Sequence, residues 1–165
     1  ITNKQQRTVN DQKGDRKMKE INKIIVPVDF LTNVDKLVDY GASMAEKLSA
    51  AIHFIHVVTF PVGDAMIGAP FALEYEEKMF TDAQARMSNL LEDNSKRCPG
   101  CTGEVVKGDP VDKIVEIAEM KDSDLIIIST HGARGLEKIL LGSVAERVLK
   151  RAHCPVLIMN PFKKQ

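Results

Sequence analysis

No run of apolar residues in this chain approaches the roughly 20 that a helix needs to cross a bilayer, so a membrane-spanning function is not expected. Nor is either sign of charge in excess. Lys+Arg and Asp+Glu stand at 23 each, and a balanced chain has no global field to draw it to nucleic acid or an anionic membrane. The first residues lack the apolar core of a signal peptide. Three cysteines, an odd number in 165 residues, make no disulfide framework; the expected setting is reduced and cytoplasmic. Internal repeats are missing too. So are two phosphate-binding signatures: there is no G-x-x-x-x-G-K-[ST] run, and PVDFLTNVDK, which follows the first expected strand, has no glycine for a G-x-G-x-x-G turn.

What is there reads as one ordinary globular domain. Apolar residues make up 44% and charged residues 28%, and a chain this long buries roughly 70% of its unfolded surface. Residues 1–20 are polar and charged, an expected extension ahead of a domain at 21–162, with Met18 as a candidate natural start. From Ile21 onward, short apolar runs alternate with amphipathic stretches. Ile24–Val26, Ile52–Val58, Glu104–Lys107, Leu125–Ile128 and Val156–Met159 read as five strands. Residues 33–49, 73–95, 111–120 and 143–153 read as four helices, the third opened by Pro110. This alternation predicts an α/β domain with a parallel sheet, and the unbroken LIII run fits a strand buried on both faces. Pro27 cannot donate to a ladder, which places it at the C-terminal end of the first strand. The Gly-, Pro- and Ala-rich segment 59–72 reads as one long connection.

Ligands of open parallel sheets sit beyond the carboxyl ends of the strands, so the segment STHGARGLEKILLGSVAE, 129–146, carries the interest. Gly132 allows close backbone approach to a phosphate, Arg134 or Lys138 adds charge, and Gly142-Ser143 opens a helix whose first amides favour anions. Equally, Ser143-x-x-Glu146 is a capping box and the glycines are ordinary turn residues; spacing leaves both readings open. Elsewhere, Cys98-Pro99-Gly100-Cys101 is a lone CxxC in a turn, with an incidental turn, a regulatory disulfide and a metal site all open. His53 and His56, three apart on a strand, face opposite ways and do not chelate together. His153 reads as a C-terminal residue of the last helix, facing its dipole. No Ser/His/Asp or Cys/His constellation is visible, and no pair of carboxylates stands out as a catalytic apparatus.

With the strand-ending PVD, the STHG loop and LLGSVAERVLKRAHCPVLIM, the chain resembles the universal stress protein family over about Lys23 to Met159. The resemblance implies a Rossmann-like α/β fold with strand order 3-2-1-4-5. It also implies an ATP motif, Gly-x2-Gly-x9-Gly-[Ser/Thr], whose positions here are Ser129, Gly132, Gly142 and Ser143; the spacing is kept and the first glycine is replaced by serine. By the same resemblance, Pro27, Val28 and Asp29 line the adenosine end, and Val57 and Ile128 pack against adenine. Gly132, Gly142, Ser143 and Val144 present backbone and hydroxyl groups to the phosphates; the residues themselves leave His131, beside that loop, open to a ligand contact or to loop packing, and Arg134 open to adding charge there. The implied ligand is ATP, ADP or AMP, with Mg²⁺ or Mn²⁺ held by the phosphates. A homodimer paired through Val156, Leu157, Ile158 and Met159 is implied, which covers an apolar edge. So is a regulatory role in stress response or signalling toward an unidentified protein partner. A nucleotide-independent interaction protein of the same fold and a slow ATPase are the competing readings.

Overall fold

A computed structural model of the chain describes residues 20–31, 34–60, 69–130 and 141–161. Nine elements alternate along them: β1 (Lys23–Pro27), α1 (Val34–Leu48), β2 (Ala51–Val58), α2 (Ala69–Asp93), β3 (Thr102–Lys107), α3 (Pro110–Met120), β4 (Leu125–Ser129), α4 (Ser143–Arg151) and β5 (Val156–Met159). All strand pairings are parallel, in the expected order β3-β2-β1-β4-β5. No helix among the described residues is long and apolar enough to cross a membrane.

Period-two alternation along the strands builds two cores, one on each face of the sheet. Ile24, Val26, Ile52, Phe54 and Ile127 face one way, under Leu37, Val38, Ala42 and Ala45 of α1 and Met87 and Leu90 of α2. Ile25, Ile55, Ile126 and Ile128 face the other, under Val111, Ile114, Ile117 and Ala118 of α3 and Ala145 and Val148 of α4. Phe54, Ile55, Ile126 and Ile127 have no exposed surface, and each such side chain contributes roughly 1.5–3 kcal/mol by leaving water. Burial on both faces is why β4 reads as an unbroken apolar run.

Three expectations need correction. The second helix begins at Ala69 rather than at 73, so the long connection is shorter than 59–72. Pro70 is tolerated in a first helical turn, where its missing N–H is not needed. The fourth helix stops at Arg151, with Ala152 extended at ψ 140, and His153 lies beyond it. Pro155 explains the stop: in a continued helix its ring would clash with the Arg151 carbonyl, and it biases the residue before it toward extended backbone. Finally, Ser143 is not the N-cap of α4. Gly142, extended at φ −60 and ψ 146, holds that position, and its carbonyl accepts the first helical bond from Glu146 N–H at 2.9 Å. Glu146 turns outward to Lys150 at 2.6 Å, so the expected capping box does not form.

Candidate functional site

The strand order reverses beside β1: β2 and β3 lie on one side of it, β4 and β5 on the other. In a parallel ladder a residue directs its N–H and C=O to one neighbour, and successive residues alternate between neighbours. Val28 N–H donates to Ile55 O of β2 at 2.8 Å, so position 27 addresses β4. Pro27 has no N–H to give. Pairing between β1 and β4 accordingly runs through Ile24–Leu125 and Ile25–Ile126 and no further, although both strands continue. The proline that looked out of place in a central strand is therefore what lets the two strands part at their carboxyl ends.

On the α3/α4 face of this gap the structure gathers an apolar wall. Pro27 shares that face with its partner Ile55. Val57 and Val144 are half-buried against the same core, and Ile128 is buried in it. Val106, which pairs with Val57 in register, belongs to the wall too; nothing in its local sequence distinguished it from any other strand valine. Val28 does not belong. Its side chain is buried in the opposite core, and its carbonyl accepts a hydrogen bond from His56 Nδ1 at 2.7 Å.

The segment after β1 is tightly held. The Asp29 carboxylate accepts Leu31 N–H at 3.0 Å, closing an Asx turn around Phe30, which sits at a left-handed φ of 54. The Phe30 ring lies 4.6 Å from the His56 ring, and Arg86 donates to the Phe30 carbonyl at 3.3 Å. Burial pushes the His56 pKa below the ordinary 6.5, against the opposing pull of the Val28 carbonyl. A neutral imidazole donating from Nδ1 fits that environment.

Across the gap, Thr130 N–H donates to Met159 O at 2.9 Å and its own carbonyl accepts Gly142 N–H at 2.8 Å. This bond seats the start of α4 against the end of β4. A Cβ on Gly142 would lie 2.5 Å from the Thr130 carbonyl oxygen, so a steric demand of the fold already requires glycine here. Gly142 also has no side chain with which to cap α4; Ser143, which follows it, is exposed. Asp109 ties α3 to α4. It caps α3 by accepting Val111 N–H at 2.9 Å and Asp112 N–H at 3.1 Å, and its other oxygen stands 3.6 Å from Arg147. Those amides, the Asp112 one foremost, and the Arg147 charge hold its carboxyl below the usual range. An Asp before Pro110 at a helix start is a legible cap in the sequence.

The structure thus brings together Pro27, Val57, Ile128, Ser129, Gly142, Ser143 and Val144 at the carboxyl end of the sheet, with Asp29 engaged in its own turn. His131, Gly132 and Arg134 lie outside the described residues, as do Lys138, residues 61–68 and the extension 1–19. Val156, Leu157, Ile158 and Met159 form the edge strand β5, where only Met159 is buried. At the other end of the sheet, His53 bonds Thr102 Oγ1 and Glu104 Oε1, both at 2.8 Å, on the face opposite His56.

The family model described as Universal stress protein family matches residues 20–160. The universal stress protein MJ0531 of Methanocaldococcus jannaschii is 34% identical over 146 residues, covering 87% of this chain and 84% of the relative. MJ0577 of the same organism is 38% identical over 155 residues, covering 84% and 94%. A solved structure of MJ0577 superposes with a TM-score of 0.76 over 89% of this chain and 99% of that one, at 27% identity. A universal stress protein of Archaeoglobus fulgidus in complex with dAMP shares the fold at a TM-score of 0.54 and 21% identity, over 85% and 98% of the two chains.

Proposed function

The chain belongs to the universal stress protein family, and on that premise we propose that it is an adenine-nucleotide-binding regulatory module that works as a homodimer. The observation that carries the reading is the parting of β1 and β4 at the reversal of strand order, with the N-terminus of α4 opening at the same end. Such crevices are where open parallel sheets take their ligands. Pro27, Val57, Ile128 and Val144 offer an apolar seat for a base, while the early amides of α4 and the Ser143 hydroxyl offer donors to phosphate. Family resemblance assigns Asp29 to the ribose end, and assigns Gly132, with His131 and Arg134 as further candidates, to the phosphates; these three lie outside the described residues. The same fold holds dAMP in the Archaeoglobus fulgidus protein and cAMP in another universal stress protein.

The ligand is ATP, ADP or AMP, and any Mg²⁺ or Mn²⁺ rides on its phosphates, as Mg²⁺ commonly does. Dimerisation uses β5, whose half-exposed apolar edge would be covered by its symmetry mate. No nucleic-acid or membrane partner is proposed. A reducing cytoplasmic setting is supported by three cysteines outside any disulfide. Regulation through a protein partner, with ATP occupancy changing its choice, follows as the working role; hydrolysis is not required by it. Calorimetric titration with ATP, ADP and AMP in Mg²⁺ tests the reading. Saturable binding with an affinity that depends on phosphate number is expected, and no binding at millimolar nucleotide would overturn it.

A further inference from the structure

The motif Cys98-Pro99-Gly100-Cys101 lies between α2 and β3, at the end of the sheet remote from the crevice, and the nucleotide reading makes no use of it. Cys101 N–H donates to the Cys98 carbonyl at 3.1 Å, and Gly100 stands at φ +81. With Pro99 second and a left-handed glycine third, this is a type II turn. Such a turn holds its end Cα atoms within about 7 Å, and disulfides span Cα separations of about 4.4–6.8 Å. The side chains converge as well: Cys98 is buried in the α1/α2-side core, and Cys101 packs partly against the same cluster. The turn is braced on both sides. Cys98 N–H donates to Asn94 O at 2.8 Å, and Arg97 pairs with Asp39 of α1. A metal is poorly served here, because no group of three His, Cys, Asp or Glu side chains among the described residues is arranged to hold one, whereas zinc takes four ligands.

We propose that Cys98 and Cys101 form a thiol-modification site, oxidised by a hydroperoxide to an intrachain disulfide and restored by a small dithiol. Cys101, the more exposed of the two, attacks first. Its thiolate sulfur takes the distal oxygen of the peroxide, the O–O bond breaks, and hydroxide (or alkoxide) leaves and is protonated. Cys98 then attacks the Cys101 sulfenic sulfur; the S–O bond breaks, the Cys98 proton goes to the departing hydroxyl, and water is released. Two thiols lose two electrons to one peroxide. Before this, burial together with the charge and hydrogen bond of Cys101 raises the Cys98 thiol to about 11, which keeps it from reacting with peroxide itself.

The test uses the full reduced chain, titrated with hydrogen peroxide, quenched with N-ethylmaleimide and mapped by peptide mass. The segment carrying Cys98 and Cys101 should lose two hydrogens and both alkylation sites together, and dithiothreitol should restore them. Cys154→Ser should behave as the parent does. In Cys98→Ala the reaction should stop at a dimedone-reactive Cys101, and in Cys101→Ser position 98 should stay alkylatable; the second variant, at a half-exposed site, guards against misfolding in the first. Disulfide-linked dimers, sulfinic acid on Cys101 beside an alkylatable Cys98, or oxidation of Cys98 in Cys101→Ser would each overturn the proposal.

Discussion

Gly142 separates two accounts of the same glycine. If it is there only to admit a phosphate, Gly142→Ala should leave the empty protein unchanged and weaken nucleotide binding. The structure gives a different expectation. Position 142 has φ −60 and ψ 146, backbone that any residue adopts, so alanine meets no torsional penalty. What it meets is a carbonyl: the new Cβ would stand 2.5 Å from Thr130 O, with the Thr130 carbonyl carbon at 3.4 Å. Both belong to backbone at the end of β4, and the same oxygen holds Gly142 N–H at 2.8 Å. Neither group can rotate away, so α4 must shift or the bond must break. Forced overpacking costs about 1–3 kcal/mol, and the lower unfolded-state entropy of alanine offsets ~0.4–1 kcal/mol of that. With the middle of each range, a net loss of about 1.3 kcal/mol lowers the midpoint by roughly 3–5 °C in a chain of this size. Thermal unfolding without nucleotide measures it, with Ser143→Ala as the neighbouring control, expected within about 0.5 kcal/mol of the parent. An unchanged midpoint for Gly142→Ala would refute the steric argument, whatever happened to binding.

Asp109→Ala removes the acceptor of two α3 amides and the partner of Arg147; a loss of about 1 kcal/mol is expected in urea unfolding, most of it recovered in Asp109→Asn. Acid should destabilise the fold in two steps. His53 and His56 are both held below 6.5, first by burial, so the unfolded chain binds more protons and stability falls as pH drops through 6.5 toward their folded values. Burial, the largest single influence on Glu104, raises its carboxyl, but the hydrogen bonds and charges of His53 and Lys121 together hold it below the ordinary 4.5; its contribution is present above 4.5 and is lost as pH falls through the folded value. Urea midpoints between pH 8 and pH 3 should show both steps, and His53→Gln should shrink the upper one; a flat profile from pH 7 to pH 5 would contradict it.

Much of the fold was legible because its signals are periodic. The two-residue and three-to-four-residue spacings located all nine elements, and β4 declared its double burial through an unbroken apolar run. Ends were harder to read, since they depend on contacts far along the chain. The start of α4 is set by Gly142 against Thr130, twelve residues earlier, and a local capping box cannot compete with that. Val28 and Pro27 show the same limit. Side by side in the motif, they turn to opposite faces of the sheet, and no window of the sequence says which face the crevice uses. Val106 enters the wall only through its register with Val57.

Ser129 stands where the motif expected from the family resemblance has its first glycine. Serine at that position would obstruct a nucleotide if its side chain entered the gap. Directly paired residues of parallel strands point to the same face, and Ser129 pairs with Met159, which is buried in the α1/α2-side core with Ile127. Ile128, Val57 and Val144 lie on the other side. Thr130 directs its N–H to β5, so by alternation the peptide groups of Ser129 address β1 and the gap. The backbone of position 129 faces the proposed ligand, therefore, and its side chain stands off to one side. Ser129→Gly should change nucleotide affinity less than about threefold, roughly 0.7 kcal/mol, while costing the empty protein about 0.5–1 kcal/mol for the added chain freedom in a strand. Calorimetric titration beside thermal unfolding reads both quantities. A tenfold or greater tightening in Ser129→Gly would place the serine side chain in the nucleotide's path and move the crevice to the α1/α2 face.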